Sequence, residues 1–121
     1  MPHILIEYTP NLGNLPFDAM LQAVTRNLAQ SPEVGNEADL KARVLRPQAF
    51  RVGLDNGRRG FVHATVRILS GRTPEAKRDF AQRVASGLLD HMPAFGSEMD
   101  VHLSVEVVDM DRESYFKVRL N

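Results

Sequence analysis

Phe61-Val62-His63-Ala64-Thr65-Val66-Arg67-Ile68-Leu69, followed at once by Ser70-Gly71-Arg72-Thr73-Pro74-Glu75, is the stretch that decides the fold. Val62, Ala64, Val66 and Ile68 fall on one side of an extended chain, and Phe61, His63, Thr65 and Arg67 on the other. That period of two marks a strand with one buried face. Ser70-Gly71-Arg72 reads as a turn. Thr73 is a fitting N-cap, Pro74 suits the first helical position, and Glu75 complements the positive end of a helix. Phe80, Val84, Leu88 and Met92 recur every fourth residue, with Ala76, Ala81 and Ala85 beside them. They predict a helix that Pro93 stops. Val101, Leu103, Val105 and Val107 then alternate with His102, Ser104 and Glu106, giving a second strand.

The same order stands upstream. Pro2, Ile4, Ile6 and Tyr8 share one face of a short strand, with His3, Leu5 and Glu7 on the other. Proline is tolerated at a strand's first position. Thr9 to Asn14 is loop-like. Pro16 opens a helix carrying Phe17, Met20, Leu21, Val24 and Leu28 on one side, which ends near Gln30 ahead of Pro32. Residues 31 to 40 are polar. Lys41 to Arg46 forms a short extended piece with Ala42 and Val44 on one side, and Ala49 to Gly53 is a further strand candidate. Asp55-Asn56-Gly57 is a strong turn signal that favours a hairpin.

Two strand–helix–strand units follow from this pattern, although the halves share little sequence. They predict an α+β fold: two β-α-β units in a four-stranded sheet with both helices on one face. The other face carries Leu5, Phe61 and Leu69 among polar groups, and is expected to meet another subunit.

The 121 residues suit a single domain, 1–121, that buries roughly two-thirds of its unfolded surface. Fifteen Lys and Arg cancel fifteen Asp and Glu, so the basic surplus of a general nucleic-acid surface is missing. The absence of cysteine removes disulfides, thiol catalysis and Cys-based zinc sites. No apolar run reaches a membrane span. The first residues lack the basic flank and long apolar core of a signal peptide, so the chain reads as cytoplasmic.

Few residues carry chemistry. No Gly-rich phosphate loop or G-x-S-x-G frame occurs, and His3, His63, His91 and His102 share no metal-ligand spacing. Pro2 stands out. A small second residue permits removal of Met1, and Pro2 would then present a secondary amine held by its ring. Apolar surroundings and nearby cations lower an amine's pKa, and a neutral amine near working pH is an efficient general base. A Met-Pro start alone is weak evidence, since about 5% of residues are Pro. The cations in useful places are Lys41, Arg43 and Arg72. Arg72, in the turn before the second helix, has the fork geometry that suits a carboxylate. A solvated turn Arg, and solvated edge charges at Lys41 and Arg43, are the plain alternatives.

Several pieces together resemble the 5-carboxymethyl-2-hydroxymuconate isomerase family of the tautomerase superfamily. They are Pro2-His3-Ile4-Leu5-Ile6-Glu7, Lys41-Ala42-Arg43-Val44, Phe61-Val62-His63-Ala64-Thr65, and Gly71-Arg72 with Glu75. The likeness runs from residue 2 to about residue 108, and the last dozen residues match least. The resemblance implies a homotrimer with sheets facing inward, using no metal and no organic cofactor. It implies a catalytic Pro2 that moves a proton between carbons of a dienol acid to give the conjugated ketone. Arg72 matches the Gly-Arg that binds substrate carboxylate and polarises developing charge, and Lys41 and Arg43 match substrate-binding positions. The family pattern has Arg where this chain has Lys41, which keeps the charge but loses the two-pronged fork. The implied partner is a di- or tricarboxylate substrate, with no nucleic acid and no membrane. Two alternatives stay open: another reaction of unsaturated acids on the same fold, such as hydration or dehalogenation, and a non-catalytic small-ligand or assembly module.

Overall fold

The computed structural model describes residues 1–55 and 57–121. Strands β1 (His3–Tyr8), β2 (Lys41–Leu45), β3 (Arg59–Leu69) and β4 (Asp100–Met110) form one sheet in the order β2-β1-β3-β4. Helix α1 (Phe17–Ala29) joins β1 to β2, and α2 (Pro74–Leu89) joins β3 to β4. Each unit pairs its two strands in parallel, and the units meet through antiparallel β1 and β3. This is the expected pair of β-α-β units. Among the described residues no helix is long and apolar enough to cross a membrane.

The core lies between the sheet and the two helices. Ile4 and Ile6 of β1, and Val62, Ala64, Val66 and Ile68 of β3, are fully buried. They meet Met20, Val24 and Leu28 of α1, and Phe80, Val84 and Leu88 of α2, also fully buried. Both helices therefore lie on the face that the alternation assigned to the interior. Thr73 caps α2 by accepting a hydrogen bond from the Ala76 N–H at 3.1 Å. Thr9, buried at the end of β1, is satisfied twice: its N–H donates to the Phe61 carbonyl, and its Oγ1 accepts from the Phe61 N–H.

Three local expectations are corrected. Ala49 to Gly53 is not a strand. Both edges of β1 are filled by β2 and β3, so the segment between those strands has no place beside it. Instead Arg59 Nη1 donates to the Val52 carbonyl and holds a loop. Asn56 of the expected turn and hairpin lies outside the described residues. Second, α2 stops at Leu89 rather than at Pro93, so Met92 lies beyond it while still packing on the core. The residue before a proline disfavours helical backbone, so the chain leaves the helix early through turns at His91 and Met92. Third, α1 begins at Phe17, with Pro16 as the flanking residue whose carbonyl accepts from the Met20 N–H.

The helices pack through Gly87. A Cβ there would lie 2.9 Å from the Val24 backbone nitrogen and 3.1 Å from the Ala23 carbonyl carbon. Alanine favours a helix over glycine by about 1 kcal/mol, but the clash is with backbone, which cannot rotate away. Overpacking of this kind costs about 1–3 kcal/mol. Gly87→Ala is therefore expected to lower the urea midpoint of unfolding; an unchanged or higher midpoint would mean that α1 and α2 separate freely.

Candidate active site at one end of the sheet

Because β3 runs antiparallel to β1, its last residues arrive beside the first residues of β1, with His3 opposite Arg67. Parallel β2 starts at that same end, with Lys41 opposite His3, and the Lys41 N–H donates to the Pro2 carbonyl at 3.1 Å. Pro2 is buried. After β3 the chain turns at Gly71, whose φ of 113° lies in the region that favours glycine, and presents Arg72. Three distant segments thus meet around the start of β1.

Arg72 is largely buried, its side chain 15% exposed. Its Nη1 donates to the Leu69 carbonyl at 2.9 Å. Its Nε lies 3.4 Å from Glu33 Oε1, too poorly placed to hydrogen-bond, and this buried N–H has no hydrogen-bond acceptor among the described residues. An unmatched guanidinium N–H out of solvent is costly and is ready for an anion. The Lys41 ammonium donates to the Ala38 carbonyl at 3.1 Å.

The C-terminal tail completes the site. Arg112 fastens it to Ser70 through its N–H and its Nε. Tyr115 OH lies 3.0 Å from His3 Nε2. Lys117 Nζ lies 3.0 Å from both Asp39 Oδ1 and the Met1 sulfur. The Met1 amine is held below its ordinary pKa of 8.0 chiefly by burial, and further by Arg72, Lys117 and Lys41, while Asp39 opposes them. The Lys117 hydrogen bond in turn holds the Asp39 carboxyl below its usual value. The Met1 amine is thereby biased toward its neutral, basic form.

The structure therefore brings Pro2, Lys41 and Arg72 together. Arg43 lies apart, along the strand, with Nη1 3.4 Å from His3 Nδ1. A guanidinium only donates, so Nδ1 is the acceptor and Nε2 carries the hydrogen toward Tyr115. Asp39, Tyr115 and Lys117 went unread in the sequence. Their contacts span 78 to 116 residues, and no local pattern announces them. Among the described residues no group of three His, Asp or Glu side chains gathers as a metal would need.

Two parallel-paired β-α-β units joined antiparallel form a tautomerase-like fold. The chain matches the family described as 5-carboxymethyl-2-hydroxymuconate isomerase over residues 2–119, and it belongs to that family. The match passes residue 108 and takes in Tyr115 and Lys117, further than the quoted motifs reach. Among solved structures, a 5-carboxymethyl-2-hydroxymuconate isomerase from Deinococcus radiodurans R1 is 25% identical, with a TM-score of 0.86 over 97% of this chain and 88% of that one. A 5-carboxymethyl-2-hydroxymuconate delta-isomerase is 15% identical, with a TM-score of 0.81 over 100% and 89%. A fused 4-OT symmetric trimer is 17% identical, with a TM-score of 0.69 over 90% and 85%. The last two speak for the fold alone. A comparison with curated proteins gives no match. The chain has the role of an isomerase.

His3 offers a test of this surface. Burial first, then Arg43, Lys41, the Met1 amine and Arg67, hold its pKa below 6.5. The unfolded chain then binds more protons than the folded one between the depressed value and 6.5. Stability is full above that window and is lost as pH falls through the folded value. Lowering the pH from about 7 to about 5 is expected to reduce Tm more in the natural protein than in His3→Gln. Parallel Tm curves for the two would refute the assignment.

Proposed function

We propose that the protein, with Met1 removed, isomerises a dienol carboxylate such as 5-carboxymethyl-2-hydroxymuconate to its conjugated keto form, with Pro2 as the base. The observation that carries this reading is the placement of Arg72, Lys117 and Lys41 where, after burial, they lower the pKa of the Met1 amine, on the residue bonded to the Pro2 nitrogen. The Pro2 nitrogen takes the proton of the enol hydroxyl, the oxygen's electron pair forms the ketone, and the double bonds shift along the conjugated chain. The resulting ammonium delivers the proton to a remote carbon of that chain, so no atom is gained or lost. Arg72 receives the substrate carboxylate and steadies the charge that builds on oxygen, using the N–H that has no acceptor in the free protein. Lys41 and Arg43 extend the cationic surface for further carboxylates, in a chain of zero net charge. No cofactor takes part, and the protein acts in the cytoplasm.

We further propose a homotrimer. The helices cover one face of the sheet and leave Leu5, Phe61 and Leu69 half-buried on the other, and the 4-OT relative is a trimer. Light scattering is expected to give three times the chain mass; a monomer at micromolar concentration would overturn it.

Ultraviolet-monitored ketonisation tests the chemistry. Pro2→Ala is expected to lose about 10²-fold in kcat, the lower range for a positioned general base. The acid limb of kcat/KM should report the titration of the Pro2 amine, because the ammonium form is inactive. Arg72→Met removes a cation that disfavours the ammonium, so its acid limb should move to higher pH. Equal rates for Pro2→Ala and the natural protein, with intact mass showing Met1 absent from both, would remove Pro2 from the mechanism.

A further inference from the structure

Beside the start of β1 lies an open cleft of about 480 Å³, lined by Asn36, Ala38, Asp39, Lys41, Lys117 and Val118, with Arg119 at its rim. Its charged groups are three cations and one carboxylate, so its lining is net positive. The cleft is half made of the C-terminal tail, which contacts with β1, with Ser70 and with Asp39 hold in place. Lys117 is the tail residue that reaches inward. Its ammonium touches the Met1 sulfur while Arg72 and Lys41 act on the Met1 amine. Met1 thus spans the space from the Pro2 nitrogen to Lys117.

We propose that Lys117 is a specificity residue, which binds a second carboxylate of the substrate, remote from the carbon that Pro2 protonates. The inference rests on the isomerase reading and adds to it what the tail selects. With Met1 gone, a ligand whose reacting carbon lies beside the Pro2 nitrogen extends toward Lys117 over about one methionine's length. A six-carbon dienoic diacid spans a similar distance. Asp39 already holds Lys117 at 3.0 Å, and both side chains reach solvent, being 43% and 26% exposed. An incoming carboxylate therefore competes with Asp39 for the ammonium, and Asp39 sets how tightly a dicarboxylate is held. A substrate with one carboxylate leaves the Asp39–Lys117 pair intact and gains nothing from the tail.

Binding of two unreactive probes tests this without relying on turnover. Muconate and sorbate are six-carbon dienoic acids with two carboxylates and one. Calorimetric titration of the full chain lacking Met1 is expected to favour muconate. Lys117→Met should cut the muconate-to-sorbate affinity ratio roughly tenfold, the scale of one charge-assisted hydrogen bond at a partly exposed site. Lys117→Arg should retain most of the ratio, and Asp39→Asn should raise it by freeing the ammonium. A ratio unmoved by Lys117→Met, or lowered by Asp39→Asn as much as by Lys117→Met, would overturn the proposal. Lys117-dependent discrimination in a protein that ketonises no dienol would leave the tail site standing and sink the isomerase reading instead. Turnover through Pro2 with a ratio indifferent to Lys117 would do the reverse.

Discussion

The antiparallel pairing of β1 with β3 is the constraint on which the rest depends. It places His3 against Arg67 and so carries the turn after β3, with Arg72, back to the first residues of the chain. Parallel β2 brings Lys41 to the same end, because a parallel partner starts where its neighbour starts. Had the two units met in parallel, Arg72 would lie at the far end of the sheet from Pro2. Both helices pack on one face, so the geometry is fixed by a core of fully buried side chains rather than by the exposed loops.

Charge at this end is arranged unevenly. Burial first, and then Arg72, Lys117 and Lys41, lower the pKa of the Met1 amine against the opposing Asp39. The neutral amine is favoured by desolvation and by repulsion together, whereas a solvated chain start would stay protonated to higher pH. In the function we propose, the same cations that keep a base neutral would also hold an anionic substrate. Arg72 keeps a buried N–H without a hydrogen-bond acceptor among the described residues. Glu33 stands near enough to screen that guanidinium without saturating it.

Much of this was legible in the residues. Alternation at 61–69 and 101–107 and the four-residue spacing of Phe80, Val84 and Leu88 gave the second unit, and Thr73-Pro74 marked where its helix begins. Legibility failed where a signal depends on a partner. Ala49 to Gly53 has strand-like residues but no free edge of β1 to pair with. Met92 keeps the helical spacing and packs on the core after the helix has ended, because burial and backbone conformation are separate requirements. Pro2, Lys41 and Arg72 could be named in advance from their types and from family likeness, but their meeting at one end of the sheet could not be measured there.

The sequence by itself determined the elements, their buried faces and the pairing of each helix with its strands, since periodicity and capping act over a few neighbouring residues. Tertiary structure alone decided that Asp39, Tyr115 and Lys117 stand at the beginning of the chain. The tail lacks a strong period, and its place comes from contacts to His3, Ser70 and Asp39 across long separations. It also decided that Arg43 faces His3 while Lys41, two residues earlier on the same face, reaches the amine. Distance along a strand makes that difference, and it is set only when the neighbouring strands fix which residues lie opposite one another.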